Sequence, residues 1–238
     1  MDYTIIIPAF NEKERLSKFL PELIQEFSKD RLRGEILIID DGSSQENYQD
    51  YLRLIHSLNK DFLKIVRLPR NQGKGAAVKA GFQVAQGDWI GFVDADGATS
   101  AQETRRLLLL AVSSEKLSGV FAARIRMLGY DIHRELYRHI MGRFFVTITS
   151  LLLHIPVYDP QCGCKFFRKK DIVGIIEDCQ EKGYLFDIEL MVRGLKKGLA
   201  FLEVPISWKE IPGGKVRVFK DSILMFCGLW KIKRRMDL

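Results

Sequence analysis

Trp89-Ile90-Gly91-Phe92-Val93-Asp94-Ala95-Asp96-Gly97-Ala98-Thr99 is an apolar run that stops abruptly at two aspartates one residue apart. A short apolar run bounded by turn formers reads as a buried strand. Residues i and i+2 of a strand share a side. Asp94 and Asp96 therefore leave the strand's carboxyl end together, where open α/β sheets bind ligands. Two adjacent carboxylates repel, and burying both unpaired is costly. A hard divalent cation removes that cost, and Mg2+ is commonly held by one or two carboxylates plus substrate phosphates. The competing reading is a solvated Asp-Ala-Asp-Gly turn. The flanking sequence decides between the two.

Strands and helices alternate on the amino-terminal side, the pattern of a parallel sheet with crossover helices. Residues 3–7 read as a first strand, followed by the turn Pro8-Ala9-Phe10-Asn11. Asn11 then opens a helix, with Glu14 three residues on as in a capping box. Leu16, Phe19, Leu20, Leu23, Ile24 and Phe27 recur at helical spacing. Pro21 is expected to bend or split that helix. Residues 35–39 form a second strand, ending in Asp40-Asp41-Gly42-Ser43-Ser44. A helix striped by Tyr48, Tyr51, Leu52, Ile55 and Leu58 follows, then a third strand over 63–68. Arg70-Asn71-Gln72-Gly73-Lys74-Gly75 leads into a small-residue helix over 76–85. Beyond the opening stretch come a helix over 102–112 and a strand over 119–123, closed by Arg124 and Arg126.

The second half changes character. A helix is expected from about 132 to 154, with Arg134, Arg138 and Arg143 in its first part and no charge over 144–153. The uncharged run reaches Tyr158, short of the roughly 20 residues a spanning helix needs. It fits a core helix or one lying in a membrane interface. Asp159-Pro160-Gln161-Cys162-Gly163-Cys164-Lys165 reads as a loop followed by a helix. Then come the segment 184–190 and a strand over 201–206. From Ser222 an apolar run ends in Lys231-Ile232-Lys233-Arg234-Arg235, which fits a surface amphipathic helix or one packed on the sheet.

The 238 residues suit one large domain, read as residues 1–123 for a nucleotide-binding half and 124–238 for an acceptor-side half. The start runs straight into Ile5-Ile6-Ile7 without a basic leader, so a cytoplasmic location is expected. Four cysteines without CxxC spacing suit free thiols. Five of the seven net positive charges fall in residues 215–238. Such a basic end suggests an anionic partner, a phospholipid surface or nucleic acid. Paired carboxylates in the crevice argue against a nucleic-acid groove, and no aromatics interleave with the basic cluster as stacking platforms.

The turns at residues 8–11, 40–44, 70–75 and 94–96 would line one crevice, with chemistry suited to a nucleotide diphosphate. Asp40 and Asp41 can accept from a base edge or ribose hydroxyls. Gly73 and Gly75 allow close backbone approach, and Lys74 offers a cation to phosphate. The GxxxxGK[ST] spacing of an ATPase loop is missing, as is a GxGxxG after the first strand, so ATPase and dehydrogenase readings lose ground.

Taken in order, Ile6-Ile7-Pro8-Ala9-Phe10-Asn11-Glu12, Ile39-Asp40-Asp41-Gly42-Ser43, Arg70 to Gly75 with Ala77-Val78, and Asp94-Ala95-Asp96-Gly97-Ala98-Thr99 resemble the inverting nucleotide-sugar glycosyltransferases of family 2, with the GT-A fold. Asp159, Gln161, Cys162, Gly163, Lys165 and Phe166 resemble the D-x-Q-C-G-x-K-F stretch of the polyprenyl-phosphate branch. Phe186-Asp187-Ile188-Glu189-Leu190 and Trp208-Lys209-Glu210-Ile211-Pro212-Gly213-Gly214-Lys215 look most like its dolichyl-phosphate glucosyltransferases. Pro160 and Cys164 depart from the usual Thr and Phe, and Gly214 from a common Ser.

That resemblance implies a Rossmann-like, mostly parallel α/β sheet flanked by helices, with a carboxyl-terminal acceptor region and amphipathic helices. It implies a donor of the UDP-glucose or GDP-mannose type, bound by Pro8, Ala9, Asn11, Glu12, Asp40, Asp41, Gly73, Lys74 and Asp94. Asp94 and Asp96 would coordinate Mg2+ or Mn2+. The acceptor would be a polyprenyl (dolichyl or undecaprenyl) phosphate. Its oxygen is already anionic and needs cations rather than a base, with Arg124, Arg126, Arg134 and Arg138 placed to supply them. Gln161 and Lys165 would touch sugar or acceptor. The enzyme would sit peripherally on the cytoplasmic face of an anionic membrane, with no nucleic-acid partner. The alternative is a soluble family 2 enzyme acting on a sugar hydroxyl, with Asp187 as general base.

Overall fold

The computed structural model describes residues 1–133, 136–212 and 218–237, without the side chains of 136, 138, 139 and 218–223. Near-continuous apolar runs build a sheet buried on both faces, as expected of parallel strands. β1 (Tyr3–Ala9) lies beside β2 (Gly34–Asp40) and β4 (Trp89–Val93), and β3 (Leu63–Arg67) extends the edge beyond β2. The full order is β3-β2-β1-β4-β7-β5-β8, where β5 is Gly119–Ala123, β7 is Cys164–Arg168 and β8 is Phe201–Pro205. All neighbours are parallel except β7, which runs antiparallel between β4 and β5.

Alternation along the strands sends side chains to two cores. Ile5, Ile7, Ile36 and Ile38 pack with α1 (Lys13–Phe27) and α4 (Ala101–Ser113) on one face, where Tyr51 of α2 (Gln45–Leu58) joins them. Ile6, Leu37, Ile39, Phe92, Phe121 and Phe167 pack with α3 (Lys74–Val84), α6 (Lys169–Asp178) and α7 (Phe186–Lys196) on the other. A third cluster joins α5 (Leu136–Leu153), α7 and α8 (Val218–Arg235) through Phe145, Leu153, Ile188, Val192, Leu229 and Ile232. Beside the main sheet, β6 (Ile132–His133) pairs in parallel with β9 (Trp208–Lys209). The four cysteines are free thiols.

Four local expectations are corrected. Asn11 does not cap α1. Its φ is +50°, its N–H donates to Ser43 Oγ at 2.9 Å, and its side-chain oxygen accepts from Ser44 N at 2.9 Å, so the β2–α2 turn has claimed it. The helix starts at Lys13 instead and runs through Pro21 as one segment. The helix expected from residue 132 gives its first residues to β6, because residues 208–209 offer a backbone partner. Residues 164–168, read as the end of a loop running into a helix, form β7; Lys165 interrupts the apolar alternation because a polar network under the site receives it.

Candidate active site

The crevice is built at the carboxyl ends of β1, β2 and β4. Pro8 and Ala9 close β1, and Asp40 closes β2. Asp40 is fully buried: Oδ1 accepts from Ser43 N at 3.0 Å and Oδ2 lies 3.2 Å from Arg67 Nε. Asp41 accepts from Gln72 N and Gly73 N, both at 2.8 Å, one on each oxygen. Burial raises the Asp41 carboxyl, those two bonds oppose the rise, and Asp40 adds to it. These aspartates thus shape the loop into α3 as well as bordering the crevice. Glu12 lies in the same region, its Oε2 2.8 Å from Arg15 Nε and its N–H on the Tyr51 hydroxyl at 2.8 Å.

The glycines at the start of α3 act differently from expectation. Gly73 has φ +102°, and a Cβ there would meet Lys182 O at 2.6 Å. A Cβ on Gly75 would meet Phe186 at 2.4 Å. The close approach they permit is to the chain's own 182–186 segment, whose Lys182 carbonyl accepts from Ala76 N at 3.0 Å.

Lys74 opens α3 and crosses to β4, its Nζ 2.6 Å from Asp94 Oδ1 and 5.3 Å from the centre of the Phe92 ring. Burial alone would lower its pKa, but Asp94 and then Asp187 outweigh it and hold the ammonium charged. Asp94 N donates to Gly163 O at 3.0 Å. A Cβ on Gly163 would fall 1.8 Å from Asp94 Oδ2, so the backbone there touches the carboxylate. Asp96 accepts from Ala98 N at 2.9 Å and has Arg15 Nη1 at 3.9 Å. Its carboxyl is raised by burial and then by the charge of Asp94.

A second set of charges lies on the side of β5 and β7. Asp159 accepts from Arg124 Nε and Nη2, each at 2.7 Å, and from the Arg124 backbone N–H at 2.9 Å. Burial raises Asp159, but Arg124 overcomes it and brings the carboxyl down to about 2. Arg124 also lies over the Trp208 ring at 5.2 Å. Lys165 is wholly buried; its Nζ donates to Cys162 O and to Asp187 Oδ2 at 3.2 Å. Gln161 Nε2 donates to Tyr184 O at 3.0 Å. A small pocket beside these groups is lined by Arg124, Arg143, Tyr158, Asp159 and Gln161.

Asp94, Lys74, Asp187, Lys165, Asp159 and Arg124 thus form a run of alternating charge beneath the crevice. Arg126 is apart from it, exposed and in no ion pair among the described residues. Arg134 and the Arg138 side chain lie outside the described residues, as do Gly213, Gly214 and Lys215. Sequence reasoning passed over two participants. Arg143 donates to Tyr158 O at 3.0 Å and covers its ring at 4.0 Å. Glu203 accepts from the Tyr158 and Asp159 N–H groups at 2.7 and 2.8 Å. Neither carries a local motif; only chain folding brings them to the loop.

A glycosyl transferase family 2 model matches residues 4–174. The chain belongs to glycosyl transferase family 2. Curated relatives of this family member include the dolichyl-phosphate beta-glucosyltransferase of Saccharomyces cerevisiae, 31% identical over 238 residues that span 93% of this chain and 71% of the relative. The protein of the same name from Dictyostelium discoideum is 30% identical over 250 residues, 97% and 76% of the two chains. Among solved structures, glucosyl-3-phosphoglycerate synthase from Mycobacterium tuberculosis, in complex with Mn2+, UDP-glucose and phosphoglyceric acid, superposes with a TM-score of 0.71 at 14% identity. That match covers 100% of this chain and 80% of the other. The family 2 fold expected from the sequence, GT-A, is thus the one found, and the chain is a glycosyltransferase.

The donor chemistry of Asp94 and Asp96 fits a divalent metal. Both offer hard oxygen, and the raised Asp96 carboxyl marks charge that a cation would relieve. Among the described residues no group of three or more His, Cys, Asp or Glu forms a complete protein cage. Two carboxylates with the remaining positions left to phosphate and water is the usual manner of Mg2+.

Proposed function

We propose that this family 2 enzyme moves glucose, with inversion, from a nucleotide sugar of the UDP-glucose type to a polyprenyl phosphate. Similarity to dolichyl-phosphate glucosyltransferases over nearly the whole chain supports the reaction. The observation that carries the acceptor class is the pairing of both acceptor-side carboxylates: Asp187 is buried against Lys165, and Asp159 is locked by Arg124. A hydroxyl acceptor requires a base able to take a proton. Charge-paired carboxylates are poor bases, whereas a phosphate oxygen arrives ionised and needs none.

In this reading Pro8, Ala9, Asn11, Glu12, Asp40 and Asp41 border the nucleotide. Asp94 and Asp96 hold Mg2+ or Mn2+, which would neutralise the leaving diphosphate. Lys74 adds a cation to the same charge. Arg124 and Arg143, which line one pocket, offer guanidinium groups to the acceptor phosphate, and Gln161 and Lys165 fix the loop beside the sugar. Asp187 positions Lys165 and Lys74 rather than taking a proton. Residues 1–123 carry the donor side and 124–238 the acceptor side of one catalytic unit.

The enzyme would work at the cytoplasmic face of an anionic membrane. No described helix is long and apolar enough to cross one. The exposed Phe144 and Leu151 of α5 and Leu224 and Trp230 of α8 offer apolar contact instead, beside the basic end of α8. The deciding test is transfer from labelled UDP-glucose or GDP-mannose to a short polyprenyl phosphate with Mn2+. A chloroform-soluble product from UDP-glucose is expected. Nucleotide release stimulated only by a soluble glycan would overturn the acceptor, and product from GDP-mannose alone would overturn the sugar.

A further inference from the structure

Lys74 occupies an unusual place for a cation. It is the first residue of α3, where the helix dipole disfavours positive charge. It nonetheless turns into the crevice and rests 2.6 Å from Asp94 Oδ1, with Asp187 and Asp96 adding to the field that holds it charged. Asp96 has weaker company: a backbone N–H and a guanidinium at 3.9 Å. The pair is thus unequally served: Asp94 holds the protein's own ammonium in direct contact at 2.6 Å, and Asp96 has only a guanidinium at 3.9 Å.

We propose that Lys74 is a displaceable counter-ion: with no metal bound its ammonium occupies Asp94, and on donor binding it yields Asp94 to the divalent cation and turns to the diphosphate. This rests on the reading of Asp94 and Asp96 as the metal pair. A charge-assisted contact at 2.6 Å and a divalent cation on the same carboxylate compete, because +1 and +2 charges within a few ångströms repel strongly in a partly buried site. The Lys74 side chain is 19% exposed, and its ammonium is held within the crevice by the groups around it. Phe92 lies beneath its ammonium, and Asp187 holds it from the acceptor side. The diphosphate supplies the missing negative charge, so it rewards the metal and the released ammonium together. Metal and nucleotide therefore bind with positive coupling, and that coupling is reciprocal. Metal alone binds weakly because it must evict Lys74 with nothing to receive it.

The test is titration with Mn2+ alone, and with Mn2+ plus UDP, followed by the paramagnetic resonance signal of free Mn2+. Lys74→Met should tighten binding of Mn2+ alone by about tenfold or more and weaken the gain that UDP gives. Lys74→Gln serves as a second variant should the first fail to fold. Arg15→Met removes a neighbouring positive charge that does not sit on Asp94, and should change Mn2+ affinity far less. Equal tightening by Arg15→Met, or no tightening in either Lys74 variant, overturns the counter-ion. Failure of the metal pair itself looks different. It would appear as Mn2+ binding by Lys74→Met that survives a second change, Asp96→Asn. Loss of binding in that double variant is the expected result.

Discussion

At the scale of single residues, the site is held by contacts that leave no slack. Gly163 is the sharpest case, because its missing Cβ is what lets Asp94 sit where it does. Gly163→Ala should push the carboxylate away and cut transfer by about 100-fold, on the order of 2.7 kcal/mol in barrier. Circular dichroism should stay native, so intact activity would remove Asp94 from the metal pair. Asp96→Asn removes a charge without removing volume. It should keep the melting temperature and lose metal-stimulated transfer; full activity with Mg2+ would refute its role. The Arg124–Asp159 pair makes a pH statement. Asp159 falls from its ordinary 3.8 to about 2 in the folded state. A depressed carboxyl contributes stability above its unfolded value and loses it as pH drops through the folded one. Wild type should therefore weaken between about pH 4 and pH 2. Asp159→Asn should lose that part of the slope and also leave a half-buried guanidinium without its partner, at about 1–3 kcal/mol at pH 7. Urea melts at three pH values read both effects.

At the scale of elements, what could be read from sequence followed how local the physics was. β1, β2, β4 and β5 were legible because each is built on an apolar run, β3 because turn residues bound its shorter Ile65-Val66 core, and α1, α2 and α4 because they keep a 3.6-residue stripe. Asp94 and Asp96 were legible for the same reason, being the point where such a run stops. β7 was not. Its Lys165 looks like a loop residue until Asp187, on α7, is brought beside it. β6 and β9 have two residues each, far apart in the chain, so no local period could announce them. Asn11 looked like a helix cap because its competitor, the Ser43-Ser44 turn, lies some thirty residues away. A further consequence sits on α7. Glu189 is fully buried and accepts from Gln180 N, Glu181 N, Arg193 and Arg235. Arg235 also pairs with Glu181, so the last turn of α8 is pinned to the loop that supports the start of α3. Arg235→Met should raise hydrogen exchange in residues 180–185 and in the end of α8, while β1 and β2 keep their protection. Unchanged exchange in 180–185 would mean that the clamp transmits nothing.

At the scale of the whole molecule, the two halves of the chain share one sheet. β7 and β8 enter it from the second half of the chain and flank β5 from the first. The cations and carboxylates beneath the crevice consequently alternate across that join instead of collecting on one side. The third core cluster adds a different asymmetry. α8 buries Leu229 and Ile232 against α5 and α7, yet leaves Leu224 61% and Trp230 65% exposed. Exposed apolar side chains scattered singly need no explanation. Here they stand on the helix whose end carries Lys231, Lys233 and Arg234, a combination suited to an anionic lipid surface. Because both apolar residues are exposed, Leu224→Glu with Trp230→Glu should leave the fold and its melting temperature within about 1 kcal/mol of wild type. Co-sedimentation with phosphatidylserine vesicles should fall by about tenfold or more, as each basic residue near such a surface is worth only about 1 kcal/mol without the apolar anchor. Transfer to a short, water-soluble polyprenyl phosphate should keep its rate, and transfer to a long-chain acceptor in vesicles should drop. Sedimentation equal to wild type would move the membrane contact to the exposed face of α5, where Phe144→Glu is the next variant. Loss of rate with both acceptors would instead place Leu224 and Trp230 in the support of the site.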